Sequence, residues 1–213
     1  ELAGVSQGLV PLELHVGAEI FRQRGTVLIT HWGLSGPALL RLTAFAARAL
    51  HQNQYRAELR VDWTAGADPQ ILQQQLRQAR LDLARKQLAN GRPELLLAIK
   101  KRLWLALLKQ AQLDAAMPWA ELSRQGEQRL QQILQRSVYS VLGRGPFGEE
   151  FVTAGGVDLA EINLAKMESR KQPGLFFAGE IMDIDGVTGG FNFQHCWSSG
   201  WIAGGAIAAG FKQ

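Results

Sequence analysis

The chain has 213 residues and a mass of 23.4 kDa, enough for one large domain or two small ones. Hydrophobic residues make up 46% and charged residues 20%, a balance that excludes a disordered, collagenous or disulfide-scaffold protein. Its one cysteine, Cys196, cannot form an internal bridge and fits a reducing, cytoplasmic compartment.

The net charge of +4 is unevenly spread, because residues 67–143 hold 12 Lys+Arg against 6 Asp+Glu. Such an excess is a weak footprint of a nucleic-acid surface, and a solvated helix face accounts for it equally well. The opening Glu1-Leu2-Ala3-Gly4 has neither an initiator methionine nor a basic and apolar leader, so a piece of a longer protein is expected.

In chain order, Leu9–Leu14, Thr26–Thr30 and Ala57–Trp63 read as strands, the last by apolar and polar alternation. Between them Ser35-Gly36-Pro37 starts a helix, with Ser35 as the expected cap and Leu39, Leu42, Ala46 and Ala49 as its apolar face. Asp68-Pro69 starts the next helix, striped by Leu72, Leu76, Ala79 and Leu83 and stopped by Asn90-Gly91. A further helix is expected from about Pro93 to Met117-Pro118, with Leu96, Ile99, Leu103 and Leu107 inward. A third carries Leu130, Ile133 and Leu134. Ser137–Leu142, a turn at Gly143–Pro146 and Glu149–Thr153 then read as strand, turn, strand, expected to rejoin the first sheet.

Beyond Ala154 the composition shifts, and 11 of the 23 glycines lie between Phe151 and the C-terminus. Gly174–Glu180 reads as a short apolar strand ending in a carboxylate, and Thr188–Gln194 as a glycine-rich opening of a helix that runs to Ala209. A strand end beside a glycine-rich helix start suits a cofactor, since glycines admit close approach and unpaired helix amides favour electron-rich atoms. The apolar run from Trp197 to Phe211 is shorter than the roughly 20 residues of a membrane span.

Two sets of residues resemble one family. They are Thr30-His31-Trp32-Gly33-Leu34-Ser35-Gly36-Pro37, and the series Thr153–Val157, Met167–Ser169, Gly174–Glu180 and Gly186–Gly204. In that order, with Lys101–Trp104 in a helical insert, they resemble the bacterial BaiN/YhiN-type FAD-dependent oxidoreductases. The resemblance implies an α+β protein: a partial antiparallel β-barrel (1–66 and 137–153), a three-helix insert (67–136) and the C-terminal part of an FAD-binding domain (154–213). It also implies FAD contacts at Gly155, Gly156, Gly179, Gly189, Gly190, Phe191, Asn192 and Phe193, with Glu180 on the ribityl chain. NAD(P)H is the electron donor it suggests, NADH and NADPH staying open, and the small-molecule substrate is not readable. The family's Gly-x-Gly-x-x-Gly strand-turn-helix has no match here, so the chain alone is expected to bind FAD weakly or not at all. The absent N-terminal half is then its first partner, and without it the apolar tail is expected to pair or swap between copies.

Other chemistry-bearing residues have plainer readings. His31 is a candidate neighbour of the flavin or substrate, although a lone histidine is more often structural. His195 and Cys196 open the last helix, where packing is the expected role and Trp197 suggests burial. Asp183 and Asp185 beside Gly186 suit a turn. Four scattered histidines and one cysteine lack metal-ligand spacing, so no metal is expected. The competing function is a basic interaction or nucleic-acid module built on Lys100, Lys101, Arg102 and Trp104, but no RNA-binding aromatic motif appears and Trp104 adjoins the apolar stripe. Nucleic acid is therefore not the expected partner.

Overall fold

A computed structural model of the chain describes residues 2–145 and 152–210. It is a mixed α+β fold in two units, one made of Glu1–Leu42 and Ala49–Gly143, the other of Thr43–Arg48 and Arg144–Gln213.

The first unit is built on a curled antiparallel half-barrel with strand order β3-β2-β1-β4-β5. β1 (Ser6–Val16) and β2 (Glu19–Ile29) form a long hairpin across the two-residue Gly17-Ala18 loop. Both outrun the apolar segments expected from sequence, because cross-strand pairing carries the polar half of β2 along with it. Leu9, at φ 56°, sits where the β1–β2 register slips between Gln7 and Val10, a bulge that turns this leucine outward. The short β3 (Leu34–Ser35) closes one edge on Leu28 and Ile29. β4 (Ala57–Val61) pairs with β1, and β5 (Ser137–Val141) pairs with β4 from Ala57↔Val141 to Val61↔Ser137. The chain thus leaves the sheet after β4 and returns to it at β5. Of the last expected strand, Glu149, Glu150 and Phe151 lie outside the described residues, and Val152 and Thr153 carry no ladder.

On β1 and β2, Glu13 faces Arg22, whose Nε donates to the carboxylate at 2.7 Å. That bond, more than the nearby His15, holds the Glu13 carboxyl below its ordinary value of 4.5. A lowered folded pKa gives stability that is present above the unfolded value and is lost as pH falls through the folded one. The pair is partly exposed, so the effect is modest, about 0.5 kcal/mol. Glu13→Gln is expected to lower the denaturant midpoint at neutral pH and to narrow its gap to the parent chain as pH drops below about 4.5. A gap that widens on acidification contradicts this assignment.

Helix α1 (Pro37–Gln52) starts at Gly36 rather than on a serine cap: Ser35 is engaged in β3, and no side chain caps the helix. Gly36 has φ 102°, and a Cβ there would lie 2.9 Å from the Leu28 nitrogen, so the tight exit from the sheet requires glycine. Ala38, Leu42, Ala46 and Ala49 line its buried face.

Between β4 and β5, α2 (Pro69–Asp82), α3 (Lys101–Gln110) and α4 (Arg124–Arg136) pack around one core. Asp68 caps α2 through the Gln70 and Ile71 amides, and Ser123 caps α4 through Gly126. α2 ends well before Asn90-Gly91, because the backbone amides of Leu88 and Ala89 turn to the carbonyls of Met117 and Ala115. α3 is shorter than expected at both ends. A separate 3-10 turn takes Glu94–Leu96, and Gln112 at φ 58° closes the helix with Leu113 N–H on the Leu108 carbonyl. Leu96, Ile99, Leu103 and Leu107 are nevertheless all buried. Trp104 and Trp119, both fully buried, donate their indole N–H groups to the Leu88 and Gly91 carbonyls at 2.7 and 3.0 Å. The side-chain amide of Gln7 ties β1 to this region by bonding the Ala98 carbonyl and the Lys100 N–H.

The second unit has little regular structure before its helix. A two-residue ladder joins β6 (Ile162–Asn163) to β7 (Glu168–Ser169), and α5 (Phe191–Gly210) closes the described chain. Ile162, Met167, Met182 and Ala203 form its buried core, packed by Val157, Phe176, Phe177 and Ile202 among others. Gly174–Glu180 is not a strand. Only Phe176 makes a bridge, antiparallel to Glu168, and Gly179–Ile181 turns as a 3-10 segment. A strand needs a ladder, and among the described residues no parallel neighbour flanks this run. Among the described residues no helix is long and apolar enough to cross a membrane.

Candidate functional site

The second unit gathers several of the expected residues at the first turns of α5. Gly179, at φ 74°, donates its N–H to the buried Ser199 hydroxyl at 2.9 Å, and its carbonyl lies 3.2 Å from His195 Nε2. A Cβ on Gly179 would stand 3.4 Å from Cys196 Sγ. His195, Cys196 and Ser199 therefore seat the Gly179 turn on the helix, which gives all three a packing role. Glu180, the next residue, is exposed at this turn.

Beside it the backbone of Val157 runs parallel to Met182, with Val157 N–H on the Ile181 carbonyl at 2.8 Å and Asp183 N–H on the Val157 carbonyl at 3.0 Å. This pairing gives Gly156 a structural reason to be glycine, since a Cβ there would meet the Met182 carbonyl carbon at 2.5 Å. Gly155, at φ 106°, has only open space at that position.

Ahead of α5, the loop from Gly186 is closed by Asn192, whose Oδ1 accepts from the Gly186 N–H at 2.7 Å while its Nδ2 donates to the Gly186 carbonyl at 3.0 Å. The Asn192 side chain is thus committed to shaping the loop. Gly189 (φ 131°) and Gly190 (φ 91°) complete the turn, and space is open where Gly190 would carry a Cβ. Gln194 N–H is the first to reach back, to the Gly190 carbonyl, so the Phe191, Asn192 and Phe193 amides have no acceptor within the helix. Phe191 and Phe193 are both exposed, and Phe193 stacks on Trp197. Trp197 itself is 68% exposed rather than buried, because only the Ser199 and Ala203 side of α5 faces the small core.

His31 belongs to the first unit, on the turn where Thr30 bonds the Gly33 carbonyl. It lines a concavity of about 470 Å³ with Ala3, Gly4, Ile29, Trp32 and Arg102. Among the described residues, no three His, Cys, Asp or Glu side chains are grouped to hold a metal ion. Trp104, the aromatic beside the basic Lys100–Arg102 run, is enclosed and offers no stacking surface.

A half-barrel interrupted by a helical insert is also the architecture of a known family. The model of the HI0933-like protein barrel and H2TH domain matches residues 1–152. The chain belongs to this HI0933-like family. It is 31% identical to the ribosomal RNA dihydrouridine synthase of Escherichia coli (strain K12), over 91% of this chain and 50% of that protein. It is 28% identical to the 3-dehydro-bile acid delta(4,6)-reductase of Clostridium scindens, over 86% of this chain and 44% of that one. The ribosomal RNA dihydrouridine synthase of Haemophilus influenzae is 27% identical, over 85% and 42%. The chain spans about half the length of the curated relatives it matches.

Proposed function

We propose that this HI0933-like chain supplies the barrel, the helical insert and the C-terminal flavin-facing segment of an FAD-dependent, NAD(P)H-linked reductase. Its nucleotide-gripping half is a separate stretch of polypeptide. The observation that carries this reading is the Gly189-Gly190 turn, where the amides of Phe191–Phe193 have no acceptor within the helix and space is open at the Gly190 Cβ position. Such a helix start suits the electron-rich edge of a flavin ring, because its amide dipoles stabilise developing negative charge there. Glu180 is exposed at the neighbouring turn and available to accept hydrogen bonds from ribityl hydroxyls. Reduced FAD, when bound, supplies a hydride. The names of the relatives, a dihydrouridine synthase and a delta(4,6)-reductase, both describe a product richer in hydrogen. Reduction of a polarised carbon–carbon double bond is therefore the reaction class we assign.

The test is flavin content. Produced with the coding sequence that precedes Glu1, the protein is expected to purify yellow, with one FAD per chain, and to bleach on addition of NADH or NADPH. The 213-residue chain alone is expected to be colourless. Stoichiometric flavin in that shorter chain, or a colourless longer one, refutes the proposal.

A further inference from the structure

From Gln172 to Gly210 the sequence carries three carboxylates, Glu180, Asp183 and Asp185, and neither lysine nor arginine. All three precede the Gly189-Gly190 turn, and Asn192 in the first turn of α5 closes the loop onto Gly186, the neighbour of Asp185. Left uncompensated, such anions oppose the positive end of the helix, whose amides favour negative charge. The compensating cation comes from far away in sequence. Arg48, on the part of α1 that belongs to the second unit, donates from Nη2 to both Asp183 carboxylate oxygens, at 2.6 and 2.8 Å. Asp183, by hydrogen bond and by charge, and more weakly Asp185 push the Arg48 guanidinium above its ordinary pKa. The Asp183 backbone is fixed separately, its N–H on the Val157 carbonyl at 3.0 Å, so the loop has its own anchor apart from the ion pair. With the arginine side chain 66% exposed, the pair contributes little to stability. Its effect on the local charge does not depend on that contribution, because a carboxylate acts on its surroundings across several ångströms.

We infer that Arg48 is a positioning residue of the flavin site: by neutralising Asp183 it preserves the positive field of the α5 N-terminus toward negative charge developing on a bound flavin ring. This rests on the proposed function, and it adds to it a residue of the β-barrel-associated helix that local sequence gives no reason to connect with the site.

The midpoint potential of the flavin, in the protein produced with the coding sequence that precedes Glu1, measures it. Arg48→Gln leaves the Asp183 charge unpaired, and reduced cofactor is expected to lose about tenfold in affinity relative to oxidised cofactor. For a two-electron couple, that ratio is a midpoint about 30 mV more negative. Arg48→Lys retains the charge and is expected to keep the parent potential. R48Q/D183N removes both charges and is expected to return to it. A residue that merely fastens the loop predicts the opposite, since the double variant lacks the ion pair as completely as Arg48→Gln does. In the 213-residue chain, which needs no flavin, peptide-resolved hydrogen exchange over 180–192 is expected to match in the parent, Arg48→Gln and R48Q/D183N. Faster exchange there in both variants makes the ion pair a fastener and overturns the inference. So does an unchanged potential in Arg48→Gln, or a double variant as low as the single one, and in either case a yellow parent leaves the proposed function standing. A colourless longer parent removes both.

Discussion

Gly156→Ala is expected to unfold the second unit while leaving the half-barrel and its helices intact. The added Cβ would sit 2.5 Å from the Met182 carbonyl carbon and 2.6 Å from the Ile181 oxygen, all backbone atoms with no rotamer to yield. Relief requires pulling Val157 away from Ile181–Asp183, which breaks both backbone hydrogen bonds of that parallel bridge. Met182, fully buried, moves with it. At φ 154° the backbone also lies where an L side chain is strained. Overpacking and strain together cost about 3 kcal/mol or more. Among the described residues the core cluster of the second unit has four buried members, of which Ile162 and Met182 are fully enclosed, so a loss of this size is comparable with what holds it. Gly155→Ala provides the comparison: its Cβ meets nothing, and only the positive φ of 106° is penalised, about 1 kcal/mol. Hydrogen exchange resolved by peptide reads the result. Fast exchange over 157–183 in Gly156→Ala, with β1, β2 and α3 still protected, is expected. Protection of 157–183 equal to that of Gly155→Ala sinks the packing account.

The sheet and the buried stripes were legible in the sequence because burial alternates or recurs at fixed spacing there. Leu12, Leu14, Leu59 and Val61 point inward on strands, and Leu72, Leu76, Leu103 and Leu107 on helices, as their spacing requires. What local pattern missed were the ends. Gln112 closes α3 in a left-handed conformation that a non-glycine residue rarely adopts, and α2 stops where residues 84–89 find hydrogen-bond partners at 115–120. Such stops depend on contacts dozens of residues away and leave no mark in the nearby sequence. The apolar run at Gly174–Glu180 misled for a related reason. Strand propensity expresses itself only against a neighbour, and the backbone there finds one bridge to Glu168.

At the candidate site, glycine content announced close backbone approach without saying to what. Gly156 approaches Met182, Gly179 approaches Cys196, and Gly190 faces open space. Three glycines from three separate segments thus answer to two packing contacts and one stretch of open space, a difference that composition does not carry. Trp32 shows the converse. Beside a turn its neighbours in sequence say nothing of Arg102, and the two share a concavity because β2 runs alongside the N-terminal segment that Arg102 holds.

The last expectation concerns the outer face of α5. This helix is apolar along its length, yet Phe193, Trp197 and Trp201 follow one another at i, i+4, i+8 and stand exposed, Trp201 at 83%. A helix that is apolar on all sides normally lies inside a core, and an exposed aromatic stripe of this kind is a surface suited to a partner. On the proposed function, the cover is the nucleotide-binding half. W197E/W201E should then remove two aromatic anchors worth together about 3–6 kcal/mol of burial. In the longer protein, flavin retention is expected to fall at least about a hundredfold, measured as the FAD dissociation constant. In the 213-residue chain, the same exchange is expected to convert concentration-dependent association into a monomer by sedimentation. The unit itself should stay folded, because Ser199 and Ala203, on the opposite side, make the helix's contacts with its core. The two readouts separate the possible covers. If a second copy of the chain is the native occupant, W197E/W201E abolishes association while the longer protein keeps its flavin at full affinity. If the nucleotide-binding half is the occupant, flavin is lost, and the longer parent protein is already monomeric because its α5 stripe is covered from within.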